Sequence, residues 1–215
     1  KRDWSSDVCS SDLLNPDCRV RPGTFERLRA VLDRHPDCAV AAAQLLNADG
    51  TTQESARGEP TAWTGLFGRH SLLSRWFPGS GETKRNLRAR ALVESGVESA
   101  EVDWAMGACL LIRRDLFDRV GGFDERYFLY WEDADLCHRI RTQGRTVRYV
   151  PGAVVDHPGG ASSRTASALA TRAFHESAYR YFTTHTVPSR WHPARPAAWL
   201  ALTLRAWWRA TFPRV

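Results

Sequence analysis

The alternation of apolar and polar positions along the chain predicts strands interleaved with helices. Leu13 and Leu14 indicate a short strand that Pro16 stops. A helix is predicted to begin at Thr24, a residue type that can cap a helix, and to end at His35. Its apolar positions recur at helical spacing: Phe25, Leu28, Val31 and Leu32. The apolar run of residues 38–46 then predicts a buried strand, closed by a turn at residues 47–50.

The second half of the chain repeats this alternation, whereas residues 51–100 look irregular or weakly helical. Its predicted strands are residues 108–112, 146–150 and 153–155. Its predicted helices are residues 114–120, stopped by Gly121 and Gly122, and a capped helix from near Glu132 to before Gly144. The order predicts an α/β sheet, a fold class in which functional groups gather at the ends of strands.

Composition narrows the class of protein. The 215 residues are 43% hydrophobic, which suffices for one core with a small appendage. The chain has neither a run of about 18 apolar residues nor a secretory signal, so we expect neither a membrane-spanning protein nor a signal-bearing precursor. Five cysteines without zinc-ligand spacing favour a reducing, cytoplasmic compartment.

The positive charge is concentrated at the C-terminal end. Glu176 is the last acidic residue, and the six arginines that follow it equal the whole net charge of +6. This distribution argues against nucleic acid as a partner of the body of the protein, and it favours an anionic partner for the tail. We therefore divide the chain into residues 1–12, 13–176 and 177–215, the last a basic, tryptophan-rich helical tail.

Residues 1–12 differ in character from the rest of the chain. They repeat Ser-Ser-Asp and lack apolar periodicity. The string resembles the translation of a sequencing-adapter sequence, and the alternative is a native disordered leader. We expect no function from this segment in either case, and no change in folding when it is replaced.

The segment Trp131–Asp135 places carboxylates at the start of a helix. At about 100° per residue, Asp133 falls on the apolar stripe of that helix, whereas Asp135 is predicted to point nearly opposite. The stripe consists of Leu136, Cys137 and Ile140. Asp133 could simply pair with the helix dipole. Because its position is inward, however, we expect an acid that ionises easily at a pocket edge, which suits a general base.

His157 follows a predicted strand and precedes a loop suited to phosphate. The loop offers two glycines for close backbone approach, two hydroxyls and one guanidinium: Gly159, Gly160, Ser162, Ser163 and Arg164. Asp17, at another strand end, is a plausible second ligand for a divalent cation that would hold a diphosphate. The alternative for His157 is an ordinary hydrogen-bonded loop histidine.

Five segments in this order resemble glycosyltransferase family 2, with the GT-A fold, and most closely its rhamnosyltransferase-like branch. They are LLNPD (13–17), NADGTTQESA (47–56), VDWAMGACLLIRR (102–114), VGGFDERYFLYWEDADLCHRI (120–140) and HPGGASSR (157–164). The resemblance covers residues 13 to about 164 and corresponds to the second half of the catalytic domain. It implies a partial GT-A, Rossmann-like α/β fold.

The resemblance also implies a reaction and its residues. The reaction is inverting transfer of a sugar, with rhamnose a guess from the branch, from a nucleotide-diphosphate donor to a cell-envelope glycan or glycolipid. Asp133 matches the base, and Asp17 and His157 match ligands of Mg²⁺ or Mn²⁺. Asp103, Trp104 and Glu132 match the acceptor side, with a core tryptophan as the alternative for Trp104. The diphosphate would be held by Gly159, Gly160, Ser162 and Arg164. Asn15 departs from the family, which often has an aspartate there.

The fold's opening βα units, which hold the nucleotide, would precede Leu13. We therefore expect an N-terminally truncated enzyme that binds its donor feebly and does not transfer sugar alone. Two other functions stay open. A metal-dependent phosphoesterase would activate water with the same carboxylates and His157, and a non-catalytic module would bind carbohydrate or nucleic acid by stacking on its nine tryptophans.

The tail has the pattern of a helix that lies in a membrane interface. On a helical wheel one sector holds Leu200, Leu204, Trp207 and Trp208. Arg205 and Arg209 project from another sector. Peripheral contact of residues 196–215 with the inner face of the plasma membrane is one interpretation. The alternative is a C-terminal helix that packs on the domain.

Overall fold

The computed structural model describes residues 10–60, 88–158 and 167–211. Its strands are β1 Ser10–Leu14, β2 Arg19–Val20, β3 Cys38–Leu46, β4 Ala56–Arg57, β5 Ala100–Val102, β6 Trp104–Ala105, β7 Cys109–Arg113 and β8 Thr146–Asp156. Its α-helices are α1 Thr24–Arg34, α2 Ala89–Glu94, α3 Arg114–Arg119, α4 Glu132–Thr142, α5 Ser167–Tyr181 and α6 Ala194–Thr211. A π-helical turn, Phe182–Thr186, follows α5.

The central sheet is mixed. Its strands lie in the order β1-β7-β3-β8-β2, and β5 also pairs with β8. Strands β3 and β8 are parallel, and the other pairings in the sheet are antiparallel. A separate two-stranded sheet joins β4 and β6. The predicted α/β class is confirmed.

Strand β3 carries core on both of its faces. Val40 and Ala42 pack in a cluster with side chains of α3 and α4, whereas Ala41 and Ala43 pack in a cluster with side chains of α1. Every residue of β3 is buried. A strand covered on both faces needs a continuous apolar run rather than an alternating one, and the predicted strand at residues 38–46 is confirmed with both of its bounds.

Strand β8 is one strand where the sequence predicted two. It runs through Pro151 and Gly152, and its register against β3 shifts between Ala43 and Gln44. Proline has no N–H to donate to the ladder, so an irregular pairing accommodates it without ending the strand. Arg27 of α1 donates to the carbonyl oxygen of Gly152 at 2.8 Å. The Pro-Gly pair, which the sequence suggested as a break between two strands, therefore lies within one strand.

The predicted side-chain cap of α1 is wrong, whereas Gly144 follows the end of α4 as predicted, with a φ of 72°. Helix α1 begins at Thr24, but the Thr24 hydroxyl donates to the carbonyl oxygen of Val154 at 2.8 Å and so ties the helix to β8. The N-cap position is Gly23, whose φ of 79° suits glycine. Helix α4 follows Trp131, also left-handed with φ 71°, and no side chain caps it. The Thr24 hydroxyl therefore donates to a neighbouring strand instead of accepting from an N–H group of its own helix.

Strand β1 begins earlier than predicted. It pairs antiparallel with β7 from Ser10, opposite Arg113, to Leu14, opposite Cys109. Main-chain pairing does not require apolar side chains, so a strand can extend beyond its apolar residues. Residues 1–9 lie outside the described residues, and the foreign origin of residues 1–12 stays a prediction.

Candidate functional site

The ends of two strands bring Asp17 and His157 together. Strand β2, just after Asp17, pairs with the end of β8, where Arg19 lies opposite Asp156. His157 follows directly, and its Nε2 lies 3.5 Å from Oδ1 of Asp17. Residues far apart in the chain therefore face each other, and their role as ligands of a shared cation stays a prediction.

Gln53 determines how the His157 ring is presented. The Gln53 amide nitrogen donates to the carbonyl oxygen of His157 at 2.6 Å, and Gln53 Oε1 lies 3.0 Å from His157 Nδ1. The oxygen accepts the Nδ1 proton, so Nε2 turns a lone pair toward Asp17. A lone pair and a carboxylate oxygen that face each other need a cation or a proton between them. Sequence reasoning did not assign Gln53, although it lies within the NADGTTQESA motif.

Cys18 is a third candidate ligand, and the sequence did not indicate it. Among the described residues, the ligand atoms of Asp17, Cys18 and His157 all lie within 4.8 Å of one another. The Cys18 thiol donates to the carbonyl oxygen of Ala108 at 3.4 Å. Burial, and then the charge of Asp17, raise the pKa of this thiol to about 11. The thiol is therefore protonated when no cation is bound. The carboxylate of Asp17 and the imidazole of His157 are ligand types that fit a divalent cation.

Asp133 is held by backbone N–H groups at the start of α4. Its Oδ2 accepts from Gly107 at 2.9 Å, and its Oδ1 accepts from Ala134 at 2.7 Å. A Cβ at Gly107 would stand 3.3 Å from that of Asp133, so the close approach suits glycine. Burial nevertheless raises the pKa of Asp133 and outweighs these hydrogen bonds, which lower it. The expected easy ionisation is therefore wrong, because an inward position also removes water.

Glu132 is the second perturbed carboxylate of this helix start. Burial, and then the charge of Asp133, raise its pKa to about 7. Its Oε2 is buried without a hydrogen-bond partner among the described residues. An acid that titrates near neutral pH with an unused oxygen suits proton exchange with a ligand.

Glu132→Gln is expected to stabilise the protein at neutral and alkaline pH. The folded chain holds the Glu132 proton more tightly than the unfolded chain, so its free energy of unfolding falls as pH rises from about 4.5 to about 7. The variant lacks this pH-dependent loss of stability. We expect its free energy of unfolding to exceed that of the wild type by about 1–3 kcal/mol at pH 8 and to show no such excess below pH 4.5. Urea unfolding across this pH range measures the free energy of unfolding of the variant and of the wild type. Parallel pH profiles for the two proteins would contradict the assignment.

Asp135 is buried, contrary to the helical-wheel prediction. It is 1% exposed, and its carboxylate pairs with Arg139 and with His185, each at 2.7 Å. These partners lower its pKa against the opposing effect of burial. His185 belongs to the π-helical turn, which covers this side of α4. A single-helix wheel does not include the element that packs on it.

Asp103 and Trp104 lie in a polar network beside α4. Asp103 pairs with Arg141 at 3.2 Å and accepts from the backbone N–H of Glu59 at 2.7 Å. The Trp104 indole N–H donates to the carbonyl oxygen of Gly58 at 2.9 Å, and the guanidinium carbon of Arg57 lies 5.3 Å from the ring centroid. The half-buried ring therefore carries a cation on one face. An acceptor role for either residue stays a prediction.

Glu59 is the centre of this network and was missed by sequence reasoning. Its carboxylate pairs with Arg141, and it accepts hydrogen bonds from His138 at 2.9 Å and from the Tyr181 hydroxyl at 2.5 Å. These partners lower its pKa, although burial opposes the shift. No sequence pattern marks Glu59. The diphosphate candidates Gly159, Gly160, Ser162 and Arg164 lie outside the described residues.

Gly107 and Ala108 join the two halves of the site. The Gly107 N–H holds Asp133, and the carbonyl oxygen of Ala108 accepts from the Asn15 N–H at 2.9 Å and from Cys18. One dipeptide before β7 therefore connects the acidic helix start to the Asp17 loop.

This mixed sheet, with a carboxylate–histidine pair at its strand ends and an acidic helix start, has the GT-A glycosyltransferase fold. The structure titled "Crystal structure of GalNAc-T7 with UDP, GalNAc and Mn2+" matches it with a TM-score of 0.52 over 94% of this chain and 37% of that chain, at 18% identity. The likeness shows the fold alone. Residues 13–177 match the family Glycosyltransferase like family 2, and the chain belongs to that family.

Two relatives with described activities are similar to the chain. The N-acetylglucosaminyl-diphospho-decaprenol L-rhamnosyltransferase of Mycobacterium tuberculosis (strain H37Rv) is 36% identical over 169 residues, which are 78% of this chain and 52% of the relative. Rhamnosyltransferase WbbL of Escherichia coli (strain K12) is 39% identical over 88 residues, 41% of this chain and 33% of the relative. The matched part of the chain thus spans about half the length of the first relative and a third of the second. In the described part of the chain, no helix combines the length and apolarity needed to cross a membrane.

Proposed function

We propose that the protein takes part in inverting, metal-dependent transfer of a sugar from a nucleotide-diphosphate donor to a cell-envelope glycan or glycolipid. The observation that carries this proposal is the connection through Gly107 and Ala108. The Gly107 N–H donates to Asp133, and the neighbouring Ala108 carbonyl oxygen accepts from Cys18, which follows Asp17. This link supports a proposal in which a base and a cation-bound diphosphate act together. Membership of the glycosyltransferase family supports the same reaction.

Asp133 is the proposed base. It accepts the proton of an acceptor hydroxyl while that oxygen attacks the anomeric carbon of the donor. The bond from the anomeric carbon to the diphosphate oxygen breaks on the opposite face, so the configuration inverts and the nucleotide diphosphate leaves with the electron pair. Gly107 and Ala134 keep the carboxylate oriented through this step. Glu132, Asp103 and Trp104 are proposed to contact the acceptor.

Asp17 and His157 are the proposed ligands of Mg²⁺ or Mn²⁺. A cation bound there would neutralise charge that develops on the departing diphosphate. Gln53 holds the imidazole with Nε2 toward the ligand position, which is how proteins orient metal-binding histidines. Gly159, Gly160, Ser162 and Arg164 are proposed to hold the diphosphate oxygens.

The printed names of the relatives support the substrate classes. The M. tuberculosis relative is named for L-rhamnose and for a decaprenyl diphosphate carrying N-acetylglucosamine. We propose L-rhamnose as the sugar and a lipid-linked glycan as the acceptor of this protein. The proposal includes a cytoplasmic location.

Release of nucleotide diphosphate tests the reaction. We expect no transfer from nucleotide-diphosphate donors of L-rhamnose by the 215-residue chain alone. We expect turnover when the chain is extended ahead of Leu13 by its natural upstream sequence, and that turnover should need both a divalent cation and a lipid-linked N-acetylglucosamine acceptor. Robust transfer by the chain alone would contradict the truncation. Release that is independent of acceptor would instead indicate the phosphoesterase.

A further inference from the structure

Helix α6 exposes a large apolar face although it packs on the protein. We name as the Trp–Leu face its five large apolar side chains that are 52–59% exposed: Trp199, Leu200, Leu204, Trp207 and Trp208. Side chains from another sector of the helix, among them Leu202 and Arg205, are half-buried, and the helix packs against α5. The helix therefore packs on the domain through one sector, while its apolar face stays uncovered among the described residues. Contact of that face with a membrane stays a prediction.

Polar contacts fix this helix relative to the acidic helix α4. Arg195, at the start of α6, donates to the carbonyl oxygen of Thr183 in the π-helical turn at 2.8 Å. The same turn carries His185, which pairs with the buried Asp135 of α4. The Ser177 hydroxyl of α5 donates to the carbonyl oxygen of Leu129, just before α4, at 3.0 Å. A surface that bound the Trp–Leu face would therefore hold the start of α4 at a set distance.

The charged residues of α6 and of the turn before it all have one sign. No Asp or Glu follows Glu176, whereas α6 and the turn before it carry four arginines: Arg190, Arg195, Arg205 and Arg209. In the turn before α6, the guanidinium carbon of Arg190 lies 5.4 Å from the ring centroid of Trp191, which is 85% exposed. Tryptophan beside arginine is typical of residues that sit among lipid headgroups.

We propose that the Trp–Leu face binds an anionic lipid surface and holds the start of α4 near that surface. A second copy of the chain is a poorer occupant, because a symmetric contact would bring two positively charged segments together. The apolar side chains enter the interface in the plane of the bilayer, and the exposed Arg190 adds attraction to anionic headgroups. The role in presenting a lipid-linked acceptor rests on the proposed function, whereas lipid binding itself does not.

Vesicle flotation of the 215-residue chain tests the proposal. We expect the chain to float with vesicles that contain phosphatidylglycerol, to float much less with phosphatidylcholine alone, and to be released by added salt. Leu204→Ser combined with Trp207→Ser should lower the partition coefficient at least tenfold. Leu14→Ser combined with Val97→Ser removes exposed apolar side chains elsewhere and should leave it unchanged. Circular dichroism checks that both variants remain folded.

The results also separate the other occupants. Equal flotation of the two double variants, or no flotation of the wild-type chain, would overturn the proposal. Dimers in sedimentation experiments that only Leu204→Ser with Trp207→Ser dissociates, without vesicle binding, would assign the face to a second copy. A water-soluble acceptor analogue separates this inference from the proposed function, because sugar transfer to it by the upstream-extended protein does not require lipid binding.

Discussion

Asp133→Asn is expected to lower the turnover of sugar transfer by about 100- to 10,000-fold in the upstream-extended protein. Asparagine keeps the shape of the side chain and can still accept a backbone hydrogen bond, but it cannot take the proton of the acceptor hydroxyl. Divalent-cation-dependent binding of the donor should remain nearly intact, because the candidate metal ligands are other residues. Steady-state kinetics together with donor-binding titration measure the two effects separately.

Glu132→Gln is the matched control for this prediction. Its carboxylate lies on the same helix start, and its pKa is raised to about 7. We expect a smaller loss of turnover, together with a higher KM for the acceptor. If Asp133→Asn retained more than about a tenth of normal turnover while Glu132→Gln lost far more, the base would be Glu132. A loss below one decade corresponds to less than about 1.4 kcal/mol of transition-state stabilisation.

His157→Ala is expected to weaken Mn²⁺ binding by at least 10- to 100-fold, since loss of an outer partner of a metal ligand alone has an effect of that size. Electron paramagnetic resonance of free Mn²⁺, titrated with the chain in the presence of inorganic pyrophosphate, measures the affinity. Gln53→Ala should weaken binding less, because it frees the ring without removing the ligand. The exposed His192 supplies the control variant His192→Ala, which should bind as the wild type does. Equal affinity of His157→Ala and His192→Ala would exclude His157 as a ligand.

Several elements could be predicted because their cause is local. The continuous apolar run of β3 reflects a strand covered on both faces, and the helical spacing from Phe25 to Leu32 reflects one covered face of α1. Gly121 and Gly122 adopt positive φ after α3, as the predicted stop requires. In each case a short stretch of sequence carries the whole pattern.

Other features could not be predicted because a distant element decides them. The helical wheel predicted that Asp135 points outward, whereas in the structure His185 of the π-helical turn covers it. The sequence predicted Thr24 as a helix cap, but its hydroxyl donates to the carbonyl oxygen of Val154 in another element. Asp133 appeared easy to ionise, and the burial that its inward position brings raises its pKa instead. The periodicity of a helix identifies its inward face, but it does not show which groups of other elements lie against that face.

The sequence by itself determined the alternation of strands and helices, the resemblance to the glycosyltransferase family and the residue types of the site. Those follow from local spacing and from short motifs. Only the tertiary structure decided that Asp17 faces His157, that Gln53 orients the ring, and that Gly107 and Ala108 connect this pair to Asp133. The physical reason is that hydrogen bonds and charge pairs act over a few ångströms in space, and only the folded sheet brings these separated segments within that range.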